Sequence, residues 1–254
     1  MSEILLQTRN LSKSFPGVQA LYDANFEMRR GEVHILLGEN GAGKSTLIKI
    51  LSGVYLPDSG TITYKGKEVI FRNPGEAQRA GICVIYQEPN LILSMNVAEN
   101  ILLGDEPSWA PGLPIINQEQ LIAQTLDLFD RLNLTLDPYI QVSELTPVEQ
   151  QMVAIARALH HSADLVVMDE PTSRLSQREM VDLFSVIRTL RAQGISIIYV
   201  THRLEEAQQI GDRATALRDG RVIGTVALSG LSQKDLIQMV AGRPLENLFI
   251  RTSV

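Results

Sequence analysis

One cysteine, Cys83, stands in the 254 residues. A disulfide framework is therefore excluded, and the chain reads as one kept in a reducing cytoplasm. Cys83 lies in an apolar, strand-like run from Ile82 to Tyr86, a setting for a buried, inert thiol. Long apolar runs are missing too: none approaches the ~20 residues that a membrane-spanning helix needs. The opening, Met1 to Asn10, lacks a basic start and a long apolar stretch, so it does not read as a secretion signal. Positive charge is in deficit, with 23 Lys and Arg against 29 Asp and Glu and a net charge of -6. Proteins that grip a phosphate backbone carry a basic face, so nucleic acid is not expected as a partner. There is no internal repeat and no low-complexity tract. The expectation is a soluble chain of one large domain or two small lobes, with any membrane role supplied through a partner.

What is present is concentrated in Gly38-Glu39-Asn40-Gly41-Ala42-Gly43-Lys44-Ser45-Thr46. The stretch fits the phosphate-loop pattern G-x-x-x-x-G-K-[ST]. The apolar run Val33 to Leu37 before it reads as a buried strand, and Leu47 to Leu51 after it as a helix ending near Gly53. Strand, glycine loop and helix together are the context the pattern requires. Glycines at 38, 41 and 43 allow the backbone to aim N–H groups inward at a triphosphate. The helix start adds its positive dipole end. Lys44 is placed for the β- and γ-phosphates and the Ser45 hydroxyl for Mg²⁺.

The rest of the chain arranges itself around that loop. Ile4–Phe15 and Ala20–Met28 alternate as strands about a Pro16-Gly17 turn, and Asp58 to Gly66 gives a second hairpin signal. These predict an antiparallel β lobe. From about Glu88 to Tyr139 the texture turns helical, with Val97–Leu103 and Gln118–Leu132 around a proline-rich loop, 106–114. Alternation resumes with helix Val148–His161, strand Leu165–Met168, helix Gln177–Ala192, strand Ile195–Val200 and helix Leu204–Ile210. Two short strands flank Asp219-Gly220, and a helix follows from Ser232. The fold class is α/β, a mostly parallel core sheet with a β lobe and a helical lobe.

Leu165 to Met168 leads into Asp169-Glu170-Pro171-Thr172. An unbroken apolar strand is buried on both faces of a parallel sheet, and ligands bind beyond its carboxyl end. Asp169 is placed to hold Mg²⁺. Glu170 is placed to orient or deprotonate a water near the γ-phosphate.

With Ile85-Tyr86-Gln87-Glu88 between these motifs and Val200-Thr201-His202 after them, nearly the whole chain resembles an ATP-binding cassette (ABC) ATPase. The resemblance implies a β lobe and nucleotide core at 1–87 and 146–254 and a helical subdomain at about 88–145. Gln87 would touch Mg²⁺ and relay to that subdomain. His202 would contact the γ-phosphate, and Phe15 would stack on adenine. It also implies ATP and Mg²⁺ as cofactors and a second cassette as partner. Transmembrane permease subunits would bind on the inner face of the membrane, with an external solute-binding protein beyond them. The apolar Leu91-Ile92-Leu93 and Met95 are the expected groove for a permease helix.

One motif departs from the pattern. Where the family has Leu-Ser-Gly-Gly-Gln, this chain has Leu145-Thr146-Pro147-Val148-Glu149. Thr146 as N-cap, Pro147 at the first helical position and Glu149 closing a capping box make a sound helix start. They make a poor anion site, because the Glu149 carboxylate faces the N–H groups a phosphate would use. An asymmetric pair of cassettes is therefore expected. Ser173-Arg174-Leu175-Ser176, the run Glu149-Gln150-Gln151-Met152-Val153 and Gly53-Val54-Tyr55 resemble the N-terminal cassette of double-cassette ATPases of bacterial monosaccharide importers. In that group a second cassette follows, and 241–246 would open the linker to it; a single-cassette subunit that pairs with a separate chain is the alternative. Two other readings stay open: a soluble twin-cassette ATPase acting on ribosome or DNA, and a non-hydrolytic ATP-binding regulatory module.

Among lesser features, His160-His161 end a helix, where they suit its dipole rather than a metal. His34, inside a strand, reads as a satisfied structural residue. Trp109 reads as the anchor of its loop, with contact to a membrane subunit the alternative.

Overall fold

In a computed structural model, residues 3–110 and 115–240 are described. Pro111 to Pro114 of the proline-rich loop and the expected linker at 241–246 lie outside them. Two sheets organise the chain. The first is antiparallel, in the order β2-β1-β4-β5, from β1 (Ile4–Phe15), β2 (Val18–Arg29), β4 (Ser59–Tyr64) and β5 (Lys67–Val69). The second runs β10-β9-β3-β8-β7-β6, with β3 (Val33–Leu37), β6 (Ile82–Ile85), β7 (Leu165–Asp169), β8 (Ser196–Thr201), β9 (Arg213–Arg218) and β10 (Arg221–Ala227). Pairing in it is parallel except between β9 and β10.

Period-two alternation divides the apolar residues of the larger sheet between two cores. Ile35, Leu37, Val166, Met168, Ile197 and Tyr199 face one cluster, and Leu36, Leu165, Val167, Ile198 and Val200 the other. The second cluster is shared with the antiparallel sheet and with α1 (Lys44–Leu51). The first is covered by α3 (Val97–Ile101), α4 (Gln118–Leu132), α5 (Pro147–His160), α6 (Gln177–Ala192) and α7 (Leu204–Ile210). The helical segment thus packs on the same core as the sheet. Among the described residues no helix is long and apolar enough to cross a membrane.

The sequence reading passes over α2 (Pro74–Ala80), although its signals are local. Asn73 accepts a hydrogen bond from the Glu76 N–H, Pro74 opens the helix, and Gly81 ends it at φ 99°. Trp109 does not anchor its loop: its side chain is 62% exposed. α8 (Gln233–Val240) closes the described chain.

His34 is fully buried on β3. Its Nδ1 lies 2.9 Å from Glu32 Oε1 and its Nε2 2.7 Å from Thr215 Oγ1. The Phe26 ring meets it edge-on at 4.8 Å. Burial holds the imidazole below its ordinary range, against the opposing pull of Glu32. The unfolded chain takes up this proton near pH ~6.5, the folded chain only at lower pH. Stability is therefore lost as pH falls from the unfolded value through the folded one. Thermal melts of parent and His34→Gln between about pH 7.5 and 5.5 should show a steeper acid loss in the parent; parallel curves would assign the loss to other groups.

Candidate active site

The phosphate loop is wedged between the two sheets. Gly43 has φ 104°, and a Cβ there would sit 2.6 Å from the Ala20 carbonyl oxygen of β2. A Cβ on Gly38 would sit 2.5 Å from the Leu217 carbonyl oxygen of β9. Gly220 N–H donates to the Ala42 carbonyl at 3.1 Å, and Tyr22 N–H donates to Gly220 at 2.8 Å. With this fit only glycine serves at 38 and 43. Helix α1 starts at Lys44 and carries no side-chain cap, so its first N–H groups stay free for an anion.

Lys44 is buried, and its ammonium donates to the Gly38 carbonyl at 2.8 Å and the Glu39 carbonyl at 3.0 Å. Burial pulls it below its ordinary range, while Glu170 and Asp169 push the other way. Burial lifts the Asp169 carboxyl above the usual carboxylate range, and the Glu170 charge adds to the lift. Glu170 sits at φ 47°, a left-handed backbone that its N–H bond to the Val200 carbonyl, 3.1 Å, holds in place. His202 follows β8, with its Nδ1 3.2 Å from Glu170 Oε1.

A crevice of about 610 Å³ gathers Phe15, Asn40, Gly41, Ala42, Gly43, Lys44, Ser45, Thr46, Gln87, Asp169 and Glu170. Val18 and Ala20 line it as well, which the sequence reading did not mark. The signal was their place just past the turn after Phe15. Gly38, Glu39 and His202 lie instead on an adjoining pocket of about 460 Å³, which shares Asn40 with the crevice. Phe15 meets Tyr55 edge-on at 5.1 Å.

At 146–149 the capping box is formed on both sides. Glu149 Oε2 accepts from Thr146 N–H at 2.8 Å and from Thr146 Oγ1 at 2.7 Å. Glu149 N–H donates to Thr146 Oγ1 at 3.4 Å. Elsewhere, a narrower groove of about 160 Å³ runs between β6 and α5. Cys83, Tyr86, Pro89, Asn90 and Arg157 are among its lining residues, and Leu91 to Met95 are not. Leu91 packs against the core instead. His161 Nδ1 lies 3.1 Å from Asp105 Oδ2, and His160 Nε2 3.7 Å from the same oxygen.

The ABC transporter family profile matches residues 21–173. The chain belongs to the ABC transporter family. This ABC chain is 44% identical over 252 residues to a ribose/galactose/methyl galactoside import ATP-binding protein of Hahella chejuensis, covering 99% of its own length and 48% of the relative's. Against a protein of the same description from Rhizobium etli it is 46% identical, over 100% and 49%. The ABC chain thus spans about half the length of the curated relatives it matches. Among solved structures, a nucleotide-free ATP-binding cassette from an ABC transporter superposes with TM-score 0.81 at 27% identity, covering 95% of this chain and 96% of that one. The ADP conformation of an ATP-binding cassette of an ABC transporter gives TM-score 0.81 at 26% identity, over 94% and 96%.

Gly43→Ala should test the wedge in this ABC chain. Holding a left-handed backbone with a Cβ costs roughly 1–2 kcal/mol, before the clash with Ala20. Titration with a fluorescent ATP analogue should give affinity at least about tenfold weaker; unchanged affinity would show that the loop tolerates a Cβ.

Proposed function

We propose that this chain is the ATP-binding and ATP-hydrolysing cassette of an importer for a monosaccharide of the ribose or galactose type. The observation that carries the reading is convergence. One crevice holds residues 40–46 of the phosphate loop, Gln87 and the Asp169–Glu170 pair, with His202 in hydrogen-bond reach of Glu170. The N–H groups of Gly41, Gly43, Lys44 and Ser45 and the Lys44 ammonium would take the β- and γ-phosphates. Phe15, half-buried at the crevice wall, would lie against adenine. The oxygen donors Ser45, Gln87 and Asp169 share the crevice, a set that suits a hard divalent cation. Mg²⁺ held there would neutralise phosphate charge. Glu170 would orient a water toward the γ-phosphate, and His202 would fix Glu170 and contact that phosphate.

The crevice is open on one side, and we take a second cassette to close it. The half-length match to the curated relatives supports a partner cassette in the same chain, and the resemblance carried by Ser173 to Ser176 and Glu149 to Val153 favours this one as its N-terminal half. In that reading residues 88–145 form a helical subdomain that leans on permease subunits at the inner face of the membrane. The solute would reach the permease from an external binding protein. The groove between β6 and α5, next to Gln87, is then the surface on offer to a permease helix. The chemistry of the crevice does not involve the sugar.

The closed capping box supports an asymmetric pair. The Glu149 carboxylate takes the Thr146 N–H and the Thr146 hydroxyl takes the Glu149 N–H, and the carboxylate's charge opposes a phosphate of the partner's nucleotide, so the site facing 146–149 would turn over little.

In the full-length protein, Glu170→Gln should lower steady-state ATP hydrolysis by on the order of 10²-fold or more while radiolabelled ATP stays bound. An unchanged rate would remove Glu170 from the chemistry and with it the hydrolytic reading. Replacing Pro147, Val148 and Glu149 with Gly, Gly and Gln should raise both the turnover and the number of ATP molecules retained per pair. No change in either would mean that the degraded motif is not what limits the second site.

A further inference from the structure

Glu206 on α7 is a carboxylate that the proposed chemistry does not use, yet it is 3% exposed and fully bonded. Its Oε1 accepts from Thr172 Oγ1 at 2.7 Å and from Arg203 Nη1 at 3.3 Å. Its Oε2 accepts from Tyr199 OH at 2.9 Å and from Thr201 Oγ1 at 2.8 Å. A carboxylate has about four lone-pair positions, so this one is saturated. A buried charge with fewer partners would be costly. Burial, followed by the Glu206 charge, pushes the Tyr199 phenol far above its ordinary range, so its O–H remains a donor.

The donors belong to two chain segments that carry chemistry. Thr172 lies two residues past Glu170, in a turn where Ser173 N–H donates to the Glu170 carbonyl at 3.2 Å. Thr201 and Arg203 bracket His202, and Arg203 N–H donates to Thr201 Oγ1 at 3.0 Å. One buried anion therefore ties the segment after Glu170 to both neighbours of His202. The contact it sets is the 3.2 Å approach of His202 Nδ1 to Glu170 Oε1. Both of those side chains are partly exposed, at 54% and 22%.

We infer that Glu206 is a positioning residue for the Glu170–His202 pair. It sets the spacing of the two segments and touches neither nucleotide nor water. The inference rests on the hydrolytic reading above for its effect on rate, but its geometric content stands apart from turnover.

The test uses the full-length protein with Glu206→Gln and, as a milder variant that keeps three of the four bonds, Thr172→Val. The His202 imidazole C–H resonance, assigned by its loss in His202→Ala, reads position directly. It should move in both variants, more in Glu206→Gln, while affinity for a fluorescent ATP analogue stays within about twofold because the phosphate loop is untouched. kcat should fall by on the order of 10²-fold in Glu206→Gln with KM nearly constant, the scale set by a misplacement of about 1 Å. His202→Ala should then cost little more in that background, since the two act as one unit. A stationary His202 resonance in both variants would overturn the inference, whatever the rate does. So would multiplicative rate losses accompanied by weakened ATP binding, the mark of a general packing defect. A parent that fails to hydrolyse ATP would instead strike at the hydrolytic reading, with the resonance still deciding the role of Glu206.

Discussion

The shape of the glycine loop depends on backbone approaching backbone. Gly38 and Gly43 sit where a Cβ would fall within 2.6 Å of a carbonyl oxygen, one from each sheet. The loop is therefore a joint between the sheets. The Gly220 N–H bond to Ala42 and the Tyr22 N–H bond to Gly220 extend that joint into the β9–β10 turn. Ala42 N–H donates within the loop to the Glu39 carbonyl, and with the rest of its shape held by other residues the N–H groups that open α1 are left over. Lys44, lying back on the Gly38 and Glu39 carbonyls, supplies the positive charge that a buried loop rich in oxygens needs before any phosphate arrives.

The remaining groups reach the crevice for one topological reason. In the order β3-β8-β7-β6 four consecutive strands are parallel neighbours. Their carboxyl ends deliver Gly38 and the loop, His202, the Asp169–Glu170 pair and Gln87 at one edge of the sheet. A ligand at the carboxyl edge of a parallel sheet meets all of them together. The apolar runs that bury both faces of these strands fix the register, since a slip of one residue would exchange the two cores. Core packing is thus what places the polar residues.

Much of this was legible because its signals are local. Strand, glycine loop and helix are consecutive, and Leu165 to Asp169 is an apolar run with an acid at its end. The capping boxes at Thr146–Glu149 and Ser176–Glu179 are formed within four residues. What escaped depends on how the fold brings groups together. Glu206 meets Thr172 across 34 positions, and although Tyr199, Thr201 and Arg203 are near it in sequence, only the turn from β8 into α7 brings them onto one carboxylate. Ser94 aside, the apolar stretch from Leu91 to Met95 looked like a docking groove. The structure packs Leu91 against the core and leaves Ile92 and Leu93 exposed, and a separate furrow lies beside β6, because a strand edge next to a helix leaves a gap that composition does not show. α2 escaped for a different reason: Asn73, Pro74 and Gly81 spell its ends, but seven residues give too little periodicity to fill them in.

The helix start at 146–149 shows a local gain opposing a global use. A capping box stabilises a helix by about 1 kcal/mol, and it does so by spending the N–H groups that make a helix terminus attractive to anions. Pro147 removes one donor, and Glu149 places a negative charge where a phosphate would come. No such cap exists on α1. The two helix starts are therefore opposite solutions within one chain: one is left uncapped by side chains and is propped by two sheets, the other is closed by its own residues and props itself. A helix that stabilises its own terminus can fold without a nucleotide, and for the same reason it has little to offer one. If a second cassette faces each terminus, the two nucleotide sites of the pair are unequal before any ligand binds, and the inequality is set by a few residues of sequence.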